Sequence, residues 1–102
     1  MPAIFFCQFK LKKTADPAEF LSAAKRLNDG YISKQPGYIG WQQLQDGDTW
    51  VDILKFDTMD NVKAFEANSA ANPNELALEF YSYINMMSCK VRYYEVAAEH
   101  GE

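Results

Sequence analysis

The sequence predicts one α+β domain in which four antiparallel strands form a single sheet and helices pack on one of its faces. Three observations lead there. Residues 3 to 11 alternate, with Phe5, Cys7, Phe9 and Leu11 on one side and Phe6, Gln8 and Lys10 on the other, which is the period of a strand. The stretch GYIGWQQLQDGDTWVDILKF, residues 37 to 56, reads as two strands around a tight turn. Between and beyond them, apolar residues recur at helical spacing behind capping residues. With 102 residues and no repeat, low-complexity tract or linker, residues 1–102 are read as one domain with one core.

In chain order, TADPAEF opens the first helix, with Asp16 as N-cap, Pro17 at the first helical position and Glu19 completing a capping-box pattern. Phe20, Ala24, Leu27 and Tyr31 form its buried stripe, and Pro36-Gly37 forbids its continuation. The hairpin turn is placed at Asp46-Gly47, where glycine supplies a positive φ, with Gly47-Asp48 as the alternative central pair. Thr58 caps a second helix whose Met59, Val62 and Phe65 face inward. Asn72, with Pro73 and Glu75, starts a short third helix carrying Leu76, Phe80 and Ile84. The last strand, about 87 to 96, sets Met87, Cys89, Val91 and Tyr93 against Lys90, Arg92 and Tyr94.

The resulting β-α-β-β-α-β order is the split βαβ, or ferredoxin-like, arrangement. Its covered face is expected to collect Phe5, Cys7, Phe9, Ile39, Trp41, Leu54 and Phe56. The other face would hold Ile4, Phe6, Leu44, Val51, Ile53 and Tyr94 among Gln8, Gln42, Lys55 and Arg92. An apolar surface of that size rarely stays in water, and two such sheets face to face would bury it, so a homodimer is expected.

Composition narrows the function classes. Hydrophobic residues make up 48% and aromatics 15%, so the chain folds and can line a pocket with rings. The net charge is −4 and no Lys/Arg cluster occurs, which argues against a phosphate backbone as partner. RNA-recognition domains share this element order, but TWVDILKF lacks the basic, Gly-rich signature of their third strand. No apolar run approaches a bilayer span, and MPAIFFCQFK lacks the layout of a secretion signal. Cys7 and Cys89, without metal-ligand or CxxC spacing, fit reduced thiols, and the expected location is the cytoplasm.

The run from DPAEFLSAAKRLND through QPGYIGWQQLQDGDTWVDILKFDTMDNVKAFEA resembles the dimeric α+β barrel superfamily, and within it the antibiotic-biosynthesis-monooxygenase-like branch. The resemblance covers about residues 3 to 96 and rests on the Pro36-Gly37 entry to the hairpin and the Phe56-Asp57 step into the second helix, with CKVRYYEV as a weaker echo. It implies a pocket between sheet and helices, and activities that include cofactor-independent oxygenation of phenols and haem degradation. The haem degraders use an Asn on the first strand, a Trp ending the third and a His on the second helix. Here Cys7 and Phe56 take the first two positions, the second helix contains no His, and His100 is in the tail. The resemblance therefore points away from haem, and no metal, haem or flavin is expected as cofactor.

Several residues are candidates for a site. Cys7 and Cys89 lie on strands that neighbour each other in this fold, and free cysteines are usually plain buried thiols. The aromatic set Phe9, Trp41, Phe56, Phe65, Phe80 and Tyr81 is ordinary core in the bland reading. In the sharper reading Cys7, Phe9, Trp41, Phe56, Phe65 and Phe80 wall a pocket for a flat apolar ligand, with Trp41 or Tyr81 as polar handles. Lys10, Lys55 and Arg92 could line a cationic lumen between subunits, or simply the rim of an interface. Asp52 shares a face with Trp41 and Leu54. Aspartate is seldom buried unpaired, so a solvated carboxylate near the sheet edge is expected; covered by helices, it would instead have a raised pKa and could act as a base. In an oxygenase of the kind the resemblance implies, Asp52, Tyr81 or Tyr93 would assist loss of a substrate proton. A non-catalytic ligand-binding or interaction protein on the same scaffold is the other reading.

Overall fold

A computed structural model describes residues 1–101. Strand β1 (Ala3–Leu11) leads to helix α1 (Pro17–Gly30), a short 3-10 turn (Ile32–Lys34), and the hairpin β2 (Tyr38–Asp46) and β3 (Thr49–Phe56). Helices α2 (Met59–Ala71) and α3 (Glu75–Ser82) follow, and β4 (Ile84–Glu95) completes the sheet. The strand order is β2-β3-β1-β4, every neighbouring pair antiparallel, with β1 and β3 in the middle. This is the ferredoxin-like βαββαβ architecture.

The caps explain where the helices begin. Asp16 accepts from the Ala18 N–H at 2.9 Å with Pro17 just inside α1, and Thr58 Oγ1 accepts from the Asn61 N–H at 3.2 Å. The cap of α3 is Asn74, whose Oδ1 accepts from the Ala77 N–H at 2.8 Å; it is not Asn72. Asn72 instead closes α2 by donating its backbone N–H to Asn68 O. Pro73, with no N–H of its own, separates the two helices.

One face of the sheet carries the core. Trp50, Asp52, Leu54 and Phe56 all point to it along β3 and all are buried. Phe20 of α1 packs edge-on against Phe9 at 5.8 Å and Trp50 at 5.2 Å, and stacks on Phe80 of α3 at 5.1 Å. These offset and T-shaped ring contacts tie both helices to the central strands.

Two bulges move residues from where alternation puts them. The β2–β3 register slips between Tyr38 and Gly40, so Tyr38 pairs with Phe56 and Gly40 with Lys55. Tyr38, not Ile39, therefore turns inward; Ile39 is 52% exposed. Tyr38 is held by an edge-on contact with Phe56 and by its hydroxyl, which donates to Asn28 Oδ1 at 2.7 Å. The β1–β4 register slips between Gln8 and Lys10, which pair with Lys90 and Asn85. The extra residues of β4 bulge out, and Met87, expected inside, is 98% exposed. Ile84 ends the polypeptide's turn out of α3 as the first residue of β4, paired with Leu11, rather than the last of a helix. The hairpin loop is Gly47-Asp48, closed by the pair Asp46–Thr49, with Gly47 at φ 61.

The opposite face of the sheet has no helix on it. Register places Ile4, Phe6, Gln42, Leu44, Val51, Ile53, Arg92 and Tyr94 there together. Phe6 and Tyr94 meet edge-on at 6.0 Å, and Lys55 pairs with Glu99 of the segment after β4. No helix is long and apolar enough to cross a membrane among the described residues.

Candidate functional site

The helices do not fill the space above the sheet. A cavity of about 310 Å³ remains between the sheet and α2 and α3. Cys7 and Phe9 from β1, Asp52 and Leu54 from β3, and Trp41 from β2 form its floor. Phe65 of α2 and Phe80 and Tyr81 of α3 form its walls. Exposed Ala70, Met86 and Val91 and half-buried Glu66 and Ser69 mark its mouth. Its surface is overwhelmingly apolar, with a few polar groups facing in, the composition of a small-molecule site.

The polar group at the centre of the floor is Asp52. It is 5% exposed, because β3 is an inner strand and not a sheet edge, so the expectation of a solvated carboxylate is overturned. In the register Asp52 has Cys7 on one side and Gln43 on the other. Gln43 Nε2 donates to Asp52 Oδ1 at 3.1 Å. Burial pushes the Asp52 carboxyl up to about 7, against the pull of Gln43 and of the Trp41 indole toward the charged form. The indole lies close enough to be felt there, yet its buried Nε1–H completes no hydrogen bond. A carboxyl that titrates near neutrality can take a proton and give it back, as a general base requires.

The thiols are the reverse case. Burial, then the neighbouring Cys89 and Asp52, pushes the Cys7 thiol up to about 12, and Cys89 is raised for the same first reason. No cation lowers either, so both stay protonated and are poor nucleophiles. They are free cysteines on the cavity floor.

Tyr81 is 46% exposed and sits at the rim. Its phenol is raised by burial, then by Cys7 and Asp52. Tyr93 lies outside the cavity. Its ring packs edge-on to Phe5 at 5.8 Å, its hydroxyl donates to Glu66 Oε2, and that bond pushes the phenol up to about 12. Phe56 is also outside, fully buried behind Phe65 with ring centroids 5.2 Å apart. The structure thus brings together Asp52, Tyr81, Cys7, Phe9, Trp41, Phe65 and Phe80, and leaves Tyr93 and Phe56 out.

Sequence reasoning missed Gln43 and Glu66. Gln43 was legible: a loop of Gly47-Asp48 sets residues 43 and 52 opposite each other. Glu66 was not, because only the packing of α2 against β4 brings it to Tyr93. Among the described residues no group of three or more His, Cys, Asp and Glu is arranged to hold a metal ion.

No protein-family model matches the sequence. No curated protein matches it either. Solved structures do resemble it. The cofactor-independent oxygenase SnoaB from Streptomyces nogalater superimposes with a TM-score of 0.74 at 18% identity, over 99% of this chain and 98% of that one. A candidate antibiotic biosynthesis monooxygenase from Nitrosomonas europaea gives 0.69 at 15%, over 98% and 94%. A heme-degrading protein from Mycobacterium tuberculosis gives 0.62 at 15%, over 100% and 98%. At such identities the likeness is one of fold: this chain shares its fold with proteins described as a cofactor-independent oxygenase and an antibiotic biosynthesis monooxygenase.

Proposed function

We propose that the protein is a cofactor-independent monooxygenase acting on small aromatic hydroxy compounds, with Asp52 as general base. The observation that carries this reading is a single buried carboxylate on the floor of an otherwise apolar, ring-walled cavity. The fold it shares with SnoaB, described as a cofactor-independent oxygenase, adds support. The cavity desolvates the substrate, Asp52 accepts its hydroxyl proton, and the electron-rich anion reacts with dioxygen. In the simplest product a ring C–H para to the hydroxyl becomes the second carbonyl of a quinone. One oxygen atom enters that carbonyl, the other leaves as water with the two hydrogens lost, and the substrate supplies all four electrons. Tyr81, at the rim, would order the substrate as it enters.

The reading extends to assembly and place. The uncovered sheet face would be buried in a homodimer, with the two cavities facing outward on the helix sides. The reduced pair Cys7 and Cys89 suits the cytoplasm.

Oxygen uptake with a panel of mono- and dihydroxynaphthalenes tests the chemistry. Since the base must be ionised, kcat/KM should rise to a plateau through pH about 7. Asp52→Asn should lower it by roughly 10²-fold or more and remove that pH limb. Uptake by the variant equal to that of the native protein, or no uptake with any member, would overturn the reading.

A further inference from the structure

Trp41 presents a buried donor that completes no hydrogen bond, although it lies close enough to Asp52 to draw that carboxyl toward its charged form. Its Nε1 is sealed from solvent and has no hydrogen-bond partner, a costly condition in a protein interior. The only other such side-chain atom among the described residues, Asn74 Nδ2, belongs to a helix cap whose Oδ1 is engaged. Trp41 also borders the cavity, and its ring is fixed edge-on against Phe80 at 5.5 Å.

The neighbouring acceptor is incomplete too. Trp41 pairs with Leu54 across the hairpin, one step along the same face from the Gln43–Asp52 pair. Gln43 occupies Asp52 Oδ1, and among the described residues no hydrogen bond reaches Oδ2. A donor that falls short of a completed bond and a carboxylate with a vacant lone pair thus stand side by side on the floor of one cavity.

We propose that the Trp41 indole N–H and the Asp52 carboxylate together receive one hydroxyl group of the ligand, which makes the cavity selective for two-ring aromatic compounds that point a hydroxyl inward. A hydroxyl is the group that matches both, since its O–H donates to Asp52 while its lone pairs accept from Trp41. An ether satisfies the indole and leaves the carboxylate bare; a hydrocarbon satisfies neither. After the proton moves to Asp52, the ligand oxygen is an anion that still accepts from the indole, so Trp41 stabilises the charge as it develops. The ring count follows from volume: an engineered apolar cavity of about 150 Å³ holds benzene, and this one is about 310 Å³. The inference deepens the oxygenase reading and rests on it for the proton transfer, but binding alone can test it.

The probes are 1-naphthol, 1-methoxynaphthalene and naphthalene, followed by calorimetry and by the indole N–H resonances of the 15N-labelled protein. 1-Naphthol should bind about tenfold or more tighter than the other two and move the Trp41 indole proton downfield, leaving that of core-buried Trp50 in place. Trp41→Phe should lose part of that advantage for 1-naphthol, keeping the share due to Asp52, and bind naphthalene as before. Equal affinities for 1-naphthol and naphthalene, or an unmoved Trp41 resonance in the native protein, would overturn the inference, and the resonance decides even if the variant does not fold. If this fails while Asp52→Asn still abolishes oxygen uptake, the oxygenase reading stands without it. Failure of all three probes to bind removes both.

Discussion

Asp52 makes the protein's stability depend on pH in a direction opposite to that of most carboxylates. Its carboxyl is raised from 3.8 to about 7 on folding, so between those values the native state holds a proton that the unfolded chain releases. The contribution of this group is therefore most favourable in acid, is lost as pH rises through that window, and is constant above it. The interval corresponds to at most ~4 kcal/mol. In urea unfolding at about pH 4 and pH 8, the native protein should lose more stability than Asp52→Asn, by up to that amount. Equal pH dependence in the two would show that the carboxylate is solvated. Cys7 sits beside it as an inert thiol. With its thiol pushed up to about 12, the folded protein should react with iodoacetamide at Cys7 roughly 10³-fold more slowly than a free cysteine at neutral pH, and normally once unfolded.

At the scale of elements, the entry to the hairpin leaves no room for a side chain at Gly37. Gly37 has φ +81, and a Cβ there would stand 2.2 Å from Asp57 Oδ1 and 2.5 Å from Asn61 Nδ2. Those two side chains bond each other at 2.7 Å, and Gly37 O accepts the Asp57 N–H at 2.9 Å, so β2, β3 and α2 are joined at one spot. Gly37→Ala should cost at least ~2 kcal/mol in chemical denaturation, from both strain and collision. Gly47, at φ +61 with open space around it, should cost only ~1 kcal/mol when replaced by alanine. A double variant Gly37→Ala with Asp57→Ala should recover part of the loss if collision contributes, and none if strain alone acts. The caps at Asp16 and Thr58 were legible because capping chemistry is local. The cap at Asn74 was misread as Asn72 because NPN offers two asparagines at nearly equivalent positions around Pro73. Only the bond to the Ala77 N–H separates them.

For the whole molecule, the uncovered face of the sheet is the main consequence. Phe6, Val51 and Ile53 are half-buried there, while Leu44 and Tyr94 are exposed. Such a face should associate with a second copy, since a twofold arrangement covers the same patch on both subunits. Light scattering at about 10 µM should give a dimer mass, and Ile53→Glu, which places a charge at the middle of that face, should give a monomer that still folds. A monomer mass for the native protein would leave the exposed face without its proposed cover.

The sequence by itself determined the order of the strands and helices, the face to which each residue of β3 points, and the kind of residues gathered around the site. These follow from periodicities of two and 3.6 and from capping and turn chemistry, which act between residues close along the chain. It did not determine that Tyr38 replaces Ile39 inside or that Met87 swings out, because bulged residues break the alternation and bulges are set by packing across strands; nor that Tyr93 meets Glu66, which takes the packing of α2 against β4. Nor did it show the cavity, which is the small difference between the volume enclosed by sheet and helices and the volume their side chains fill. Tertiary structure decided that Asp52 is buried on an inner strand beside a tryptophan with no partner. Burial depends on what lies above a residue, and that is settled only when distant segments of the chain meet.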